Sequence, residues 1–266
     1  MCRYKISVEY DGSFFCGWQQ QRQDQVLLSV VSQRKLRYSQ STIRKYSVQG
    51  VIEMAVFNIT GEHVIVEGAG RTDSGVHAFN QTAHFDLLKF VDPHRLQSGI
   101  NFYTRMHGCS ILSISIVESD FHARFSAKSR EYIYRVINRN APLMLDQTRA
   151  WHVIQQLELN NMMIAAQHFL GTHDFKAFRA AECQSKTTIK TVDYFNISKQ
   201  NELIEFHVKS RSFLHNQVRI MVGTIVWIGL KKLPVSIIEH LLIDGTRSNA
   251  GPTAPAYGLY LLRINY

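Results

Sequence analysis

The chain has 266 residues, 45% of them hydrophobic and 19% charged, enough apolar material for one large core or two ordinary ones. This content excludes a disordered tail protein, and 5 Pro with 15 Gly exclude a collagenous or low-complexity chain. Lys and Arg number 30 and Asp and Glu 21, a formal net charge of +9. That sign favours a polyanionic partner, nucleic acid or an anionic membrane surface, without choosing between them.

Tyr4, Ile6, Val8 and Tyr10 alternate with polar residues and predict a first strand, with no signal peptide ahead of it. Residues 22–46 stand apart. They are rich in Gln and Ser, carry Arg22, Arg34, Lys35, Arg37, Arg44 and Lys45, and hold Asp24 as the single acid. They read either as a solvated insertion or as a basic arm on nucleic acid phosphates. Val48, Ile52, Ala55, Val56 and Ile59 share one helical face. A strand is predicted at 64–67, a tight glycine-rich loop at 68–75, a strand at 81–87 and a helix after Pro93. Leu112, Ile114 and Ile116 alternate with Ser113 and Ser115, as in a half-buried strand.

The second half repeats the pattern. A strand is predicted at 132–137 and a helical stripe on Met163, Ala166 and Leu170. A hairpin is predicted from 192–197 and 203–208. An apolar helix at 218–230 contains Arg219 and is too short to span a bilayer, which needs ~20 apolar residues. A helix after Pro234 and a strand at 259–264 close the chain. The fold expected is α+β: two ferredoxin-like halves, 1–138 and 139–266, forming one continuous, mixed, mainly antiparallel sheet with helices on one face. The 4 Cys are scattered, with no C-x-x-C pair, which fits a reducing cytosol and a cytoplasmic protein. The 12 His show no paired-ligand spacing, so no metal site is expected. His63, His84, His94 and His107 read as surface or satisfied polar groups.

Three clusters carry chemistry. Gly70-Arg71-Thr-Asp73-Ser-Gly-Val-His77-Ala78 offers a carboxylate among glycines with an arginine two residues earlier. A carboxylate near a guanidinium stays ionised and serves as nucleophile or base, although an Asx-turn would use the same residues. A Ser74–His77–Asp73 triad is disfavoured, since no nucleophile elbow is present. The segment 121–135 interleaves Arg124, Lys128, Arg130 and Arg135 with Phe121, Phe125, Tyr132 and Tyr134. That mixture suits phosphates and unpaired bases, or a strand with Tyr132, Tyr134 and Val136 on its core face. Arg219 either snorkels out of its apolar helix or, if buried, needs an anion, for which Asp73 is the candidate.

Together these clusters resemble the TruA-type tRNA pseudouridine synthases over most of the chain. Glu9-Tyr-Asp-Gly-Ser-Phe-Phe-Cys-Gly-Trp18-Gln19 is similar to the family's opening block. Gly70 to Ala78 is similar to its G-R-T-D-x-G-V-H signature, and Phe121 to Tyr134 to its F-H-A-R-F-S-A-x-x-R-x-Y-x-Y segment. Blocks beginning at Gly171, Phe213 and Thr253 complete the likeness, whereas Asn101-Phe-Tyr-Thr-Arg-Met-His departs from the usual N-x-x-L-P. The resemblance implies a cofactor-free isomerase, a homodimer, acting on uridines 38 to 40 of the tRNA anticodon arm. It implies Asp73 as the nucleophile, Tyr132 against the target uridine, Arg71 from the signature, and Arg219 paired with the catalytic carboxylate. No membrane partner is expected, because the basic residues are dispersed among strands and lack an amphipathic helical anchor. The first half would carry the nucleophile and the second complete the cleft. A non-catalytic RNA-binding protein of the same fold is the alternative.

Overall fold

The structure is a computed structural model that describes residues 1–19, 46–183 and 185–266. The basic insertion expected at 22–46 therefore lies, apart from Tyr46, outside the described residues, as does Gln184. Ten strands in mixed, mostly antiparallel pairing, together with five α-helices among the described residues, define an α+β protein, the class the element order predicts. The chain packs as two compact units, residues 1–128 with 261–266, and residues 129–260.

In the first unit, β1 (Cys2–Tyr10) lies between two antiparallel neighbours, β3 (His77–Leu87) and β4 (Cys109–Val117). The alternation read from the sequence is the burial pattern: Tyr4, Ile6, Val8 and Tyr10 all point into the core. Tyr4 stacks on Phe85 of β3 with ring centroids 5.6 Å apart. Helix α1 (Val48–Thr60) starts where the Ser47 hydroxyl accepts the Gly50 N–H. It buries Val48, Val51, Ile52, Ala55 and Val56, a spacing of three and four residues that lines one face. Each buried Val or Ile side chain contributes roughly 1.5–3 kcal/mol by leaving water. Helix α2 (Pro93–Thr104) opens with Pro93 after the Asp92 cap, as the sequence predicts.

Two expectations fail here for identifiable reasons. The strand predicted at 64–67 is only β2 (Glu67–Gly68), paired with β3. The Val66 N–H is taken by the Glu53 carboxylate at 2.9 Å, so this backbone finds its partner on α1 rather than on a strand. Burial pushes the Glu53 carboxyl above the usual carboxylate range, offset in part by hydrogen bonds from Val66 and Gln49. The second concerns one residue of β4, which is otherwise the half-buried strand expected, with Ile114 and Ile116 opposite Ile6 and Tyr4: a bulge between the Ser7–Ser113 and Val8–Ile111 pairs puts Ile111 in the core and leaves Leu112 45% exposed.

The second unit contains β5 (Ser129–Asn138), β6 (Trp151–Val153), α3 (Leu159–Gln167), β7 (Gly171–Asp174), β8 (Ile189–Gln200), β9 (Leu203–Ser210), α4 (Gln217–Gly229) and α5 (Ile237–Ile243). The ladder runs β5–β9–β8–β7, antiparallel throughout, with β6 parallel to β5. The hairpin of β8 and β9 turns through Asn201 and Glu202, with Asn201 at φ 55°, and buries Ile204, Phe206 and Val208 as their alternation predicts. On α3 the buried residues are Met162, Ala165 and Ala166, followed by Phe169 just past the helix end; Ala166 is buried as predicted, but Met162 and Phe169 take the inward places expected for Met163 and Leu170. Met162, Met163 and Ile164 are consecutive apolar residues and leave the phase open. The side chain of Met162 fills the space beside Gly229 of α4, and this contact sets the phase. Helix α4 is buried on nearly all sides, so it reads as apolar rather than amphipathic. A tenth strand, β10 (Leu259–Asn265), begins in the second unit and ends in the first.

Candidate active site

The Asp73 loop is clamped from one side by the opening block. The Trp18 N–H donates to the Thr72 carbonyl at 3.0 Å, and the Thr72 hydroxyl meets the Tyr10 hydroxyl at 2.8 Å inside the core. The Ser74 hydroxyl donates to the Phe15 carbonyl at 3.3 Å. Gly12 packs so closely on Val76 that a Cβ there would overlap the Val76 carbonyl oxygen, which requires glycine at that position. Within the loop, the Asp73 carbonyl accepts the Val76 N–H at 3.1 Å, closing a turn. Gln81 of β3 donates to the Gly70 carbonyl at 2.8 Å. The backbone around Asp73 is thus fixed by neighbours on both sides, Asp73 itself stays half-buried, and Arg71 is exposed. A fixed backbone under an accessible carboxylate is the preorganisation that nucleophilic or general-base chemistry needs.

Asp11 and His77 form the base of this clamp, and sequence reasoning assigned them no role. The Asp11 carboxylate accepts the Ser13 N–H at 3.0 Å and the Ser13 hydroxyl at 2.6 Å. His77, almost fully buried, places Nδ1 3.1 Å from the Gly12 nitrogen and 3.2 Å from Asp11 Oδ1. One ring nitrogen cannot serve both: neutral, it accepts the Gly12 N–H; protonated, it donates to Asp11. Burial would raise the Asp11 carboxyl, but the contact with His77 and the Ser13 hydrogen bonds outweigh it and hold the group well below the usual carboxylate range. The signal was present in the opening Glu9-Tyr-Asp-Gly block, whose partner residues are distant in sequence.

A measurable consequence follows from the sign of that shift. Asp11 binds a proton more readily in the unfolded chain, so its stabilisation is complete above about pH 5 and is lost as pH falls through the unfolded value towards the folded one. Asp11→Asn is expected to cost about 1–2 kcal/mol at pH 7 and to flatten the acid limb of the melting temperature between about pH 5 and 3. Circular dichroism melts across that range check it; parallel acid limbs for variant and wild type would refute the assignment.

In the second unit, Tyr132, Tyr134 and Val136 occupy the core face of β5. The Tyr132 ring meets Phe213 edge-on, with centroids 5.3 Å apart. The Tyr134 hydroxyl donates to the Pro255 carbonyl at 2.8 Å. Arg219 does not extend along the helix to solvent. It is half-buried, with Nε donating to the Ala254 carbonyl at 2.8 Å and Nη1 to Asn216 Oδ1 at 2.7 Å. The Ala254 N–H returns a hydrogen bond to the Arg219 carbonyl at 3.1 Å. These paired bonds fix the guanidinium plane in a way that a lysine could not reproduce. Arg71 and Asp73 therefore belong to the first unit, and Tyr132 and Arg219 to the second.

Among the described residues, Glu67, His84 and His122 bring three ligand-type atoms within 4.8 Å of one another. Their hydrogen bonds oppose metal binding. His84 Nδ1 accepts the Ala123 N–H at 3.3 Å, and His122 Nδ1 accepts the Arg124 N–H at 3.1 Å. In the neutral ring each Nε2 then carries the proton, and His122 Nε2 sits 3.1 Å from Glu67. A metal-binding histidine shows the opposite arrangement, with its second nitrogen donating.

A half-buried carboxylate on a loop held by its neighbours, in a basic α+β chain, is compatible with an enzyme acting on a polyanionic substrate. Comparison with known proteins makes this specific. Residues 165–266 match a family described as tRNA pseudouridine synthase. The chain is 42% identical over 264 residues to tRNA pseudouridine synthase A of Ehrlichia ruminantium (strain Welgevonden), covering 99% of each chain. It is also 42% identical over 264 residues to tRNA pseudouridine synthase A of Ehrlichia chaffeensis (strain ATCC CRL-10679 / Arkansas), covering 99% of this chain and 100% of that one. The chain belongs to the tRNA pseudouridine synthase A family of isomerases. No helix among the described residues is long and apolar enough to cross a membrane.

Proposed function

We propose that this protein converts uridine to pseudouridine at positions 38 to 40 of the tRNA anticodon stem-loop, with Asp73 as nucleophile and no cofactor. The observation that carries the reading is the Asp73 loop: its backbone is held by Trp18 and Gln81 and its Thr72 hydroxyl by Tyr10, while Asp73 itself is only half-buried. The reaction is an isomerisation, so atoms balance within the nucleotide. The N1–C1′ bond breaks, the uracil turns, a C5–C1′ bond forms, the C5 proton leaves and N1 gains one. The base is first flipped from its stack. Asp73 then assists cleavage by attacking C1′ or C6, or by removing a ribose proton to give a glycal. Tyr132 packs against the detached base and keeps it in place for rebonding. Arg71, exposed beside Asp73 in sequence, pairs with the phosphate of the flipped nucleotide. Arg219, its guanidinium held by Ala254 and Asn216, is the arginine assigned to the catalytic carboxylate.

In this reading the protein acts as a homodimer in the cytoplasm, a reducing compartment that suits scattered cysteines with no C-x-x-C pair. The test uses unmodified tRNA transcripts that retain a single uridine at 38, 39 or 40. Pseudouridine detected by mass spectrometry at each position is the expected result. Tight tRNA binding with no product at any of them would favour the non-catalytic RNA-binding alternative.

A further inference from the structure

The end of α2 carries a surface that the site above does not use. Phe102 is 62% exposed and Met106 57% exposed, with Tyr103 partly exposed between them. The rings of Phe102 and Tyr103 meet edge-on at 5.2 Å, and the Arg105 guanidinium lies 5.2 Å from the Phe102 centroid. This outward presentation is built in. Ile100 and Thr104 are buried, and the Asn101 side chain bonds both the carbonyl and the N–H of Ile111 at 2.9 and 2.7 Å. The helix end is thereby locked on β4, leaving the residues between these anchors facing water.

Place and charge identify the ligand. From Pro93 to Val117 the chain has no Asp or Glu, while it carries Arg95 and Arg105. Three residues beyond Arg105, the Gly108 carbonyl accepts the Asp11 N–H at 2.9 Å, and Phe14 packs against Gly108. The aromatic surface is therefore joined directly to the turn that clamps the Asp73 loop. Exposed rings beside a guanidinium, with no carboxylate on the segment, match a nucleobase stacked on an aromatic face with its phosphate on the cation. This is also the segment whose sequence departs from the family pattern.

We propose that Phe102, Tyr103 and Arg105 form a secondary contact for an unpaired nucleotide of the tRNA, Phe102 or Tyr103 stacking on the base and Arg105 pairing with the adjoining phosphate. The proposal rests on tRNA being the substrate. Fluorescence anisotropy with labelled, unmodified tRNA tests it. Phe102→Ala and Phe102→Leu are each expected to raise Kd about tenfold, whereas Phe102→Tyr keeps it near wild type. Arg105→Gln is expected to lower the slope of log K against log salt by about one. Unchanged Kd for both Phe102→Ala and Phe102→Leu, while wild type binds tRNA and makes pseudouridine, overturns this contact alone. A change of oligomeric state in those variants by sedimentation, with unaltered tRNA affinity per site, also overturns it and assigns the surface to a second copy of the chain. Failure of the wild type to bind tRNA at all defeats both this contact and the functional reading beneath it.

Discussion

Asp73→Asn is expected to abolish pseudouridine formation while leaving tRNA bound. The substitution keeps the size of the side chain, and the turn at this position is closed by the backbone, from the Val76 N–H to the Asp73 carbonyl. The clamp on either side uses Thr72, Ser74 and Gly70, none of which changes. The variant should therefore fold as the wild type does and differ only in lacking a carboxylate that can form or assist the covalent step. A loss of at least about 10³-fold in single-turnover rate is expected, equivalent to about 4 kcal/mol of transition-state stabilisation. Affinity should move by less than about threefold, because phosphate contacts dominate binding to nucleic acid and this change removes a negative charge. Product formation within tenfold of wild type would remove Asp73 from the chemistry.

Gly223→Ala should unfold the protein at a markedly lower temperature. Helix α4 lies flush against residues 251–254, and a Cβ on Gly223 would overlap the Pro252 carbonyl oxygen. A Cβ on Gly251 would in turn come within 2.6 Å of Thr224 Cα. The contact is stitched by the Gly251 N–H to Thr224 Oγ1 at 3.0 Å and by the two bonds between Arg219 and Ala254. Both obstacles are backbone, so the helix or the segment must shift as a whole. The expected cost is about 3 kcal/mol, roughly 10 °C in melting temperature, beyond any gain in helix propensity. The same shift would displace the carbonyl that orients Arg219, so activity should fall in the variant even below its melting range. Gly229→Ala supplies the contrast. Its Cβ would meet the flexible Met162 side chain, which can yield, and the variant should melt within a few degrees of wild type. Equal melting temperatures for the two variants would show that α4 is not held as described.

Local pattern explains which parts of the fold were legible. The strand from Cys2 to Tyr10, the α1 stripe and the hairpin of β8 and β9 each place their apolar residues at a period that only one element satisfies, and the largely apolar run of α4 is too long for a strand. The misreadings arose where a partner distant in sequence decided the outcome. Glu53 captured the Val66 N–H and shortened β2; Met162 was selected over Met163 by the space beside Gly229; a bulge left Leu112 outside. Of the four histidines expected to be surface or satisfied polar groups, His63 and His94 are exposed and His84 accepts the Ala123 N–H.

The family signatures behaved differently from the elements. Their residue types supply a carboxylate, an arginine and an aromatic ring, and it is their order along the chain, resembling a tRNA-modifying family, that turns the +9 charge towards nucleic acid. What no periodicity contains is that these blocks are contacts of one another. Tyr10, Asp11, Gly12 and Trp18 serve as the clamp of residues 72–77, and Arg219, Gly223 and Thr224 serve as the seat of residues 251–254. Sequence determines chemistry because side-chain type sets charge, donors and acceptors. It also determines most elements, because helix and strand periods are local. The positions that hold Asp73 and Arg219 still were decided only by tertiary structure, since a hydrogen bond at 3 Å between residues sixty apart leaves no local trace in the chain.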